Sequence, residues 1–204
     1  MAQEEINILS VRGGLLFQPD VGKKEAKMKA RIMIWLSSMV IGLAVCNDIL
    51  AAEVGKAIFK DTQGKSIGSA MLFETANGVL IETNLTNLPP GPHGFHIHQI
   101  GRCDLADGFK SAGSHYSPNK REHGLIVTGG PHAGDMPNQF VGSDGKLQSH
   151  ILNTDISLAP SETSIFKNDG TALVIHAKAD DYRSQPAGDA GDRIACAVIE
   201  RSGG

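Results

Sequence analysis

The chain has 204 residues, a formal net charge of −3 at pH 7, 24 glycines and eight histidines. This length fits one domain with a single core, and the mildly acidic balance argues against a nucleic-acid-binding surface. Aromatic residues are only 5% of the chain, and no long stretch repeats apolar residues at helical spacing. We therefore expect an all-β sandwich or barrel of short strands joined by turns.

The first 52 residues divide into two segments. Residues 1–27 carry mixed charge without a structural period and are interpreted as a disordered extension or a misassigned start. Residues 28–52 begin with a basic stretch, continue with an apolar run over 32–45 and end in small residues, which is typical of a secretory signal peptide. A transmembrane anchor is the less favoured interpretation, because the run is short for a bilayer. The folded domain is expected over 53–204.

The three cysteines lie in two settings. Cys46 follows the apolar run, and Leu43-Ala44-Val45-Cys46 resembles a lipoprotein processing site, although Val45 is bulkier than the small residue expected there. A lipoprotein anchored through Cys46 is therefore the alternative to soluble export, and membrane contact is expected only if Cys46 is lipidated. Cys103 and Cys196 remain in the body, where two cysteines of an exported domain predict one disulfide.

About eight strands are expected after residue 53. Apolar and β-branched runs bounded by turn residues predict strands over 54–59, 66–73, 79–85, 94–98, 139–141, 146–152, 171–176 and 193–200. Residues 88–92 are expected to be irregular, because proline cannot donate to a strand ladder. The polar, glycine-rich segments 101–137 and 177–192 predict long loops, and loops of that length are usually functional or disordered.

Histidines are concentrated between residues 93 and 135. His96 and His98 lie two apart in a predicted strand, so their side chains leave the same face and can converge on one ion. In isolation such a pair would more often be a polar surface alternation. Here further donors follow it, namely His115, His123, His132, Asp135 and, at the end of a later strand, His176.

Six imidazoles and one carboxylate exceed what one tetrahedral ion takes, which predicts two ions sharing a ligand. Imidazole-only coordination suits copper(II), whereas three imidazoles and a carboxylate suit zinc. On residue types alone, a structural dizinc site or a hydrolase could use the same donors.

Five motifs follow one another between residues 94 and 199. They are Gly94-Phe95-His96-Ile97-His98, Gly101-Arg102-Cys103-Asp104, and the segments 111–118, 130–138 and 191–199. Together they resemble the copper/zinc superoxide dismutases, particularly the exported bacterial branch. The resemblance implies an eight-stranded antiparallel Greek-key β-barrel or sandwich with long metal-binding and electrostatic loops. It also implies a periplasmic enzyme that converts superoxide to dioxygen and hydrogen peroxide by copper redox cycling, with a structural zinc.

The resemblance also implies a ligand set. The copper ligands would be His96, His98, His115 and His176, and the zinc ligands His115, His123, His132 and Asp135. His115 would therefore bridge the two ions, and its imidazole would also supply a proton during the reaction.

Other residues take supporting roles by the same resemblance. Asp180 would accept hydrogen bonds from one histidine of each set, and Arg193 would hold the superoxide anion beside copper. The Cys103–Cys196 disulfide would steady Arg193. His93 matches a structural position, and His150 matches nothing and is interpreted as an exposed strand residue.

The sequence departs from the family pattern beside the bridging histidine. Ser114, Tyr116 and Ser117 stand where Gly, Phe and Asn are common, which is expected to affect the geometry around His115 but not its identity as a ligand. The resemblance leaves both a monomer and a homodimer open.

Two rival functions use the same residues. A periplasmic copper- or zinc-binding protein without turnover would need neither Arg193 nor a bridging His115, so both residues argue against it. A metal-assisted hydrolase would need a general base near an open zinc position, and the sequence offers none.

Overall fold

A computed structural model describes residues 54–167 and 169–202, all within a unit that spans 51–204. The predicted extension, the predicted signal peptide and Cys46 lie outside the described residues. Regular structure in the described ranges consists of β-strands and two single turns of 3-10 helix, at Leu105–Asp107 and Lys110–Ala112. None of the described residues belongs to a helix long and apolar enough to cross a membrane. The all-β expectation is confirmed.

Nine strands are present in these ranges: β1 (Val54–Asp61), β2 (Ser66–Thr75), β3 (Gly78–Leu85), β4 (Gly91–His93), β5 (Phe95–His98), β6 (Gln139–Val141), β7 (Leu147–Asn153), β8 (Ala172–His176) and β9 (Arg193–Ser202). Seven of them form one antiparallel sheet in the order β5-β8-β9-β1-β2-β3-β7, and β4 pairs with β6 in a second sheet. Because β1, β2 and β3 follow one another as hairpins and β9 returns beside β1, the order is that of a Greek key.

The expectation that 88–92 is irregular is wrong for its last two residues. Gly91 and Pro92 belong to β4, with Pro92 opposite Phe140 of β6. Proline is tolerated in edge strands, and among the described strands β4 pairs only with β6. β4 and β5 are separated by Gly94 and pair with different strands, which raises the strand count to nine.

Buried and exposed residues alternate along the strands, and the buried ones form the core. In β1, Ala57 and Phe59 are buried and alternate with exposed neighbours, as the two-residue period of a strand requires. In β5, Phe95 and Ile97 join the same apolar core. His96 and His98, the alternate residues, therefore leave the opposite face of the sheet.

The opposite face of β8 is covered as well. Phe109 and Ala112, from the segment between Cys103 and Gly113, pack on Ala172 and Val174 in a second, smaller apolar cluster. This explains why β5 and β8 are buried along their whole length. The long loops therefore enclose the histidine-bearing face of the sheet.

Candidate metal centre

The backbone itself brings the loop residues to the strand histidines. Isolated antiparallel bridges join His96 to Asp135 and His98 to His115. His176 is the last residue of β8, the strand that pairs with β5. Residues that are far apart in the sequence are thus placed together by backbone pairing before any metal is considered.

Four buried imidazoles form the first cluster. One ring nitrogen from each lies within 4.8 Å of the others, and the residues are His96, His98, His115 and His176. The ring centroids of His96 and His115 are 4.1 Å apart, and Nε2 of His98 lies 3.4 Å from Nε2 of His176. This is the set that the resemblance implies for copper.

Backbone carbonyls fix the orientation of two of these rings. Nδ1 of His98 donates to the Gly113 carbonyl oxygen at 2.9 Å, and Nδ1 of His176 donates to the Gly191 carbonyl oxygen at 3.1 Å. A carbonyl oxygen only accepts, so the proton of each neutral ring is on Nδ1. The Nε2 lone pairs of both rings are left for the centre of the cluster.

The other two rings each present a nitrogen without a partner. Nε2 of His96 donates to Asp180 Oδ2 at 2.7 Å, while its buried Nδ1 has no hydrogen-bond partner. Nε2 of His115 is also buried and unpartnered. Buried polar atoms are rarely left unsatisfied, so a metal ion that accepts both lone pairs fits this cluster.

Burial favours the neutral form of three histidines of the first cluster, His98, His115 and His176. It lowers the pKa of His98 well below its usual value, that of His115 to about 4 and that of His176 to about 3, and the neighbouring positive groups act in the same direction. Neutral imidazoles have lone pairs for a metal at pH 7. Such a donor set suits copper(II).

The second cluster is centred on one carboxylate. Asp135 Oδ1 lies 2.8 Å from Nδ1 of His115, 3.1 Å from Nδ1 of His123 and 3.3 Å from Nδ1 of His132. Its Oδ2 accepts the backbone N–H groups of Gly124 and His132 at 2.9 and 3.0 Å. Three imidazoles and a carboxylate with their donor atoms within 4.8 Å of one another match a tetrahedral zinc set.

Charge in the second cluster is divided between Asp135 and His123. Burial alone would raise the pKa of Asp135, but hydrogen bonds from the three histidines hold it well below its usual range. Burial would lower the pKa of His123, but hydrogen bonds to Asp135 and Asp180 raise it to about 9. Without metal, a protonated His123 therefore neutralises part of the carboxylate charge.

His115 is the residue common to both clusters. Its Nδ1 is engaged by Asp135 of the second cluster, and its Nε2 is the unpartnered atom of the first. The two nitrogens of one ring thus serve different clusters.

Asp180 joins the clusters by a second route. Its Oδ2 accepts from His96 at 2.7 Å, and its Oδ1 accepts from Nε2 of His123 at 3.1 Å. The carboxylate is 3% exposed, and although burial would raise its pKa, the two histidines hold that pKa below its usual range. Asp180 is thus an ionised acceptor for one ring of each cluster.

Arg193 lies at the edge of the first cluster and is held by the covering segment. Its Nη1 and Nη2 donate to the carbonyl oxygens of Phe109 and Gly113, each at 2.6 Å. The Gly113 carbonyl also accepts from His98, so one backbone oxygen orients both an imidazole and the guanidinium. Cys103 and Cys196 form the predicted disulfide, which ties this segment to β9 and confirms the pairing.

Outside Arg193 the surface opens into a depression of about 450 Å³ with mixed charge. It is lined by Thr62, Asp107, Gly108, Lys110, Gly191, Asp192 and Arg193. Lys110 and Arg193 can attract a small anion, while the two carboxylates oppose it. The depression gives solvent a route to the guanidinium.

The remaining histidines lie outside both clusters. The ring nitrogens of His93 lie 2.7 Å from the His176 carbonyl oxygen and 2.8 Å from that of Pro89. His93, the last residue of β4, thus connects the end of β8 with Pro89 in the segment before β4. His150 is in β7, with its side chain 68% exposed and 3.5 Å from Glu82, which agrees with its interpretation as a surface strand residue.

Sequence reasoning missed several groups that shape the site. The carbonyls of Phe109 and Gly113 leave no side-chain signal. Asn138 lies in the 130–138 motif without an assigned role, yet its carboxamide donates to the Asp180 carbonyl at 2.8 Å and accepts the Asp180 N–H at 2.7 Å. The hydroxyl of Tyr182 accepts the Asn138 N–H at 2.7 Å, although nothing in the sequence distinguishes Tyr182 from other loop residues.

Of the departures from the family pattern, Tyr116 is explained by its environment. Its hydroxyl donates to the Ser164 carbonyl oxygen at 2.9 Å, so the additional oxygen is satisfied away from the metal clusters. Its backbone N–H donates to Ile97 at 2.8 Å, which holds the residue after His115 against β5.

Comparisons with known proteins agree with this architecture. A family model described as copper/zinc superoxide dismutase matches residues 66–199. Superoxide dismutase (Cu-Zn) 1 of Aquifex aeolicus is 49% identical over 68% of this chain and 82% of its own length, and the Caulobacter vibrioides superoxide dismutase (Cu-Zn) is 38% identical over 71% and 84%. The crystal structure of a superoxide dismutase-like protein from Bacillus subtilis superposes with a TM-score of 0.68 at 38% identity, covering 70% of this chain and 96% of that one.

The matched region contains both clusters, Asp180, Arg193 and both cysteines of the disulfide. With the Greek-key sheet order and the two clusters that share His115, it assigns the chain to one family. The chain belongs to the copper/zinc superoxide dismutase family.

Proposed function

We propose that this chain dismutates superoxide to dioxygen and hydrogen peroxide, with copper in the first cluster and zinc in the second. The observation that carries the proposal is His115, whose two nitrogens serve different clusters. Storage of two ions requires no shared ring. A shared ring beside an anchored guanidinium suits an enzyme that acts on a small anion.

Copper held by His96, His98, His115 and His176 would supply the redox chemistry, in which one superoxide is oxidised to dioxygen and a second is reduced. Arg193 binds the anion beside that cluster, because its charge is permanent and its guanidinium is already oriented by two carbonyls. Pre-orientation means that little side-chain freedom is lost when the anion arrives.

Protons must reach the reduced product, since two superoxide anions and two protons give one dioxygen and one hydrogen peroxide. The Nε2 of His115 is suited to carry one of them. It is buried within the first cluster, has no protein partner, and keeps its ring in place through Nδ1 when Nε2 gains or loses a proton. Water supplies the other proton.

Zinc held by His115, His123, His132 and Asp135 has a structural role. These residues come from the segment between β5 and β6, which has little regular structure of its own. Binding one ion by four of its residues orders the segment and fixes the orientation of His115.

The relatives include a Bacillus subtilis protein named superoxide dismutase-like, and a direct measurement of activity distinguishes turnover from metal binding. Superoxide decay should be measured with purified protein loaded with copper and zinc, together with metal content and the copper EPR spectrum. Activity no higher than that of the same amount of free copper would overturn the proposal and favour a metal-binding protein.

Two variants make the test specific. His115→Ala should lose most of the activity and alter both the zinc content and the EPR spectrum, because the ring belongs to both clusters. His150→Ala, which removes an exposed histidine outside them, should behave as the wild type. Full activity and normal zinc in His115→Ala would contradict the shared-ring assignment.

We also propose that the enzyme is exported to the periplasm, with residues 28–52 as the signal peptide and 53–204 as the mature domain. One relative is named an extracellular superoxide dismutase, from Haemonchus contortus, and its name supports export. N-terminal sequencing of the protein from the producing cell should find a start near Ala52 or Glu53. A lipid-modified Cys46 at the mature terminus would instead establish the anchored form.

A further inference from the structure

His123 is held through its backbone by a side chain from another loop. The backbone N–H of His123 donates to Gln185 Oε1 at 3.0 Å, and Gln185 Nε2 donates back to the His123 carbonyl oxygen at 2.8 Å. The two residues are 62 positions apart. The carboxamide therefore pairs with His123 much as a neighbouring strand would.

The ring of His123 is held on both sides, so it cannot reorient if the backbone of His123 loses its hydrogen bonds to Gln185. It is 0% exposed, with Nδ1 against Asp135 and Nε2 against Asp180. His123 lies in no strand or helix, so no ladder fixes its backbone. A small shift of that backbone would move both ring nitrogens relative to the other ligands of the second cluster.

The loop that provides Gln185 also covers the cluster at close range. A Cβ added at Gly188 would lie 1.8 Å from Asp180 Oδ1 and 2.8 Å from His123 Nε2. A Cβ added at Gly124 would lie 2.1 Å from the Tyr182 carbonyl oxygen. Only glycine fits at these two points, so the segment 180–188 lies directly on the His123–Asp180 hydrogen bond.

This covering segment is attached at both ends. At its start, Asn138 pairs in both directions with the backbone of Asp180, and near its end Gln185 pairs in both directions with His123. Between them, Asp181, Arg183 and Ser184 are exposed, and the Asp181 carboxylate bonds within its own loop. Within the segment, Tyr182 donates its N–H to Asp180 Oδ1 at 2.6 Å, whereas both hydrogen bonds to the backbone of His123 come from Gln185.

We propose that Gln185 is a positioning residue for the second cluster. Its hydrogen bonds hold segment 180–188 against His123 and thereby determine the rate at which zinc dissociates. The inference rests on the proposed assignment of zinc to that cluster. It concerns zinc retention and not the reaction at the first cluster, where Gln185 has no contact among those described.

The Gln185→Ala variant, which removes both hydrogen bonds to the His123 backbone, tests this role. Protein loaded with copper and zinc is mixed with an excess of a coloured zinc chelator, and zinc release is followed over time. Partners that orient a metal-binding histidine typically contribute about 10- to 100-fold in metal affinity, so the variant should release zinc faster by about that factor. The visible spectrum of cobalt(II) placed in the zinc cluster should also shift, because the position of His123 changes.

Two matched variants sharpen the result. Ser184→Ala alters the adjacent residue, whose hydroxyl bonds only to Asp181, and should release zinc at the wild-type rate. Gln185→Glu keeps an acceptor for the His123 N–H but loses the donor to its carbonyl, so its release rate should lie between those of the wild type and Gln185→Ala.

Zinc release from Gln185→Ala at the wild-type rate, with an unchanged cobalt spectrum, would overturn the inference. Copper release accelerated as much as zinc release would also overturn it, because a general loosening of the fold would then explain both. The underlying zinc assignment is tested apart from it by His132→Ala: undiminished zinc binding there would contradict the assignment whatever Gln185 does.

Discussion

His176 and Arg193 are paired across β8 and β9, at the point where the register of the two strands shifts between Ile175 and His176. Register irregularities of this kind re-aim side chains near functional sites. Here an imidazole of the first cluster and the guanidinium that we propose binds superoxide share one cross-strand position. The guanidinium is then fixed by the carbonyls of Phe109 and Gly113.

Replacing Arg193 by Lys should lower superoxide dismutation about ten- to hundred-fold. A lysine keeps the charge but lacks the planar fork whose two nitrogens donate to separate carbonyls, and hydrogen bonds to charged groups contribute roughly 1.5–3 kcal/mol. Arg193→Ala should lose more. Because exposed charges are screened by salt, wild-type activity should fall with ionic strength, and that of Arg193→Ala should fall less.

The measurement is superoxide decay across a range of ionic strengths with protein of matched copper and zinc content. Wild-type rates from Arg193→Ala at every salt concentration would exclude a role for the guanidinium in capturing the anion.

The disulfide should contribute strongly to stability. Cys103 and Cys196 are 93 positions apart, and in the chain-entropy account a cross-link of that span lowers the entropy of the unfolded chain by an amount worth about 4–5 kcal/mol. The double variant Cys103→Ser with Cys196→Ser should lower the free energy of unfolding by about that much in urea titrations. Chemically reduced wild type is the control, and an unchanged free energy in both would contradict the expectation.

Removing the Asp180 carboxylate should weaken both metal clusters together. Asp180→Ala leaves His96 and His123 each without the acceptor that fixes its ring, and the affinity for copper and zinc should fall about 10- to 100-fold. Competition with chelators of known affinity measures both. Asp144→Ala is the matched control, since Asp144 is an exposed turn acid paired with Lys146. Loss of affinity for one metal alone would contradict a shared role.

Much of the fold followed from the alternation of apolar residues. The first strand, predicted over 54–59, is Val54–Asp61 in the structure, a difference of two residues. Such strands are predictable because burial on one face gives a two-residue period that is visible in the sequence. β4 was missed because proline argues against a strand unless its edge position is known. That position depends on pairing with the distant strand β6, in which Gly91 lies opposite Val141 and Pro92 opposite Phe140.

The division of the donor residues into two sets was predictable from the family resemblance, which the histidine-bearing motifs carry, whereas residue types alone left other metal sites open. Contacts made by the backbone were not. Nothing in the sequence indicates that the Gly113 carbonyl accepts from both His98 and Arg193. Gln185 is equally inconspicuous, because a glutamine in a polar loop has no distinctive pattern and its partner His123 is distant in the chain.

The metal-free protein should lose stability as the pH falls from about 6.5 to about 4. Burial lowers the pKa of His115 to about 4, that of His176 to about 3 and that of His98 well below its usual value. In the unfolded chain these groups titrate near their usual pKa of about 6.5. Across this range the unfolded state therefore binds protons that the folded state does not. Each such group lowers the free energy of unfolding by up to about 1.4 kcal/mol per pH unit.

His123, Asp135 and Asp180 contribute to stability mainly outside this range. His123, whose pKa is raised to about 9, is protonated in both states below about pH 6.5, and its stabilising effect is lost as the pH rises through 9. Asp135 and Asp180 have a pKa below the usual range, so their contribution is present above the carboxyl pKa of an unfolded chain and declines at more acidic pH.

Urea unfolding of metal-free protein at several pH values measures directly how the free energy of unfolding changes with pH. His176→Ala should make this dependence shallower by about one proton, whereas His150→Ala, which alters an exposed side chain, should leave it nearly unchanged. A free energy of unfolding that stayed constant or rose between neutral pH and pH about 4.5 would show that these histidines are not held neutral in the folded protein.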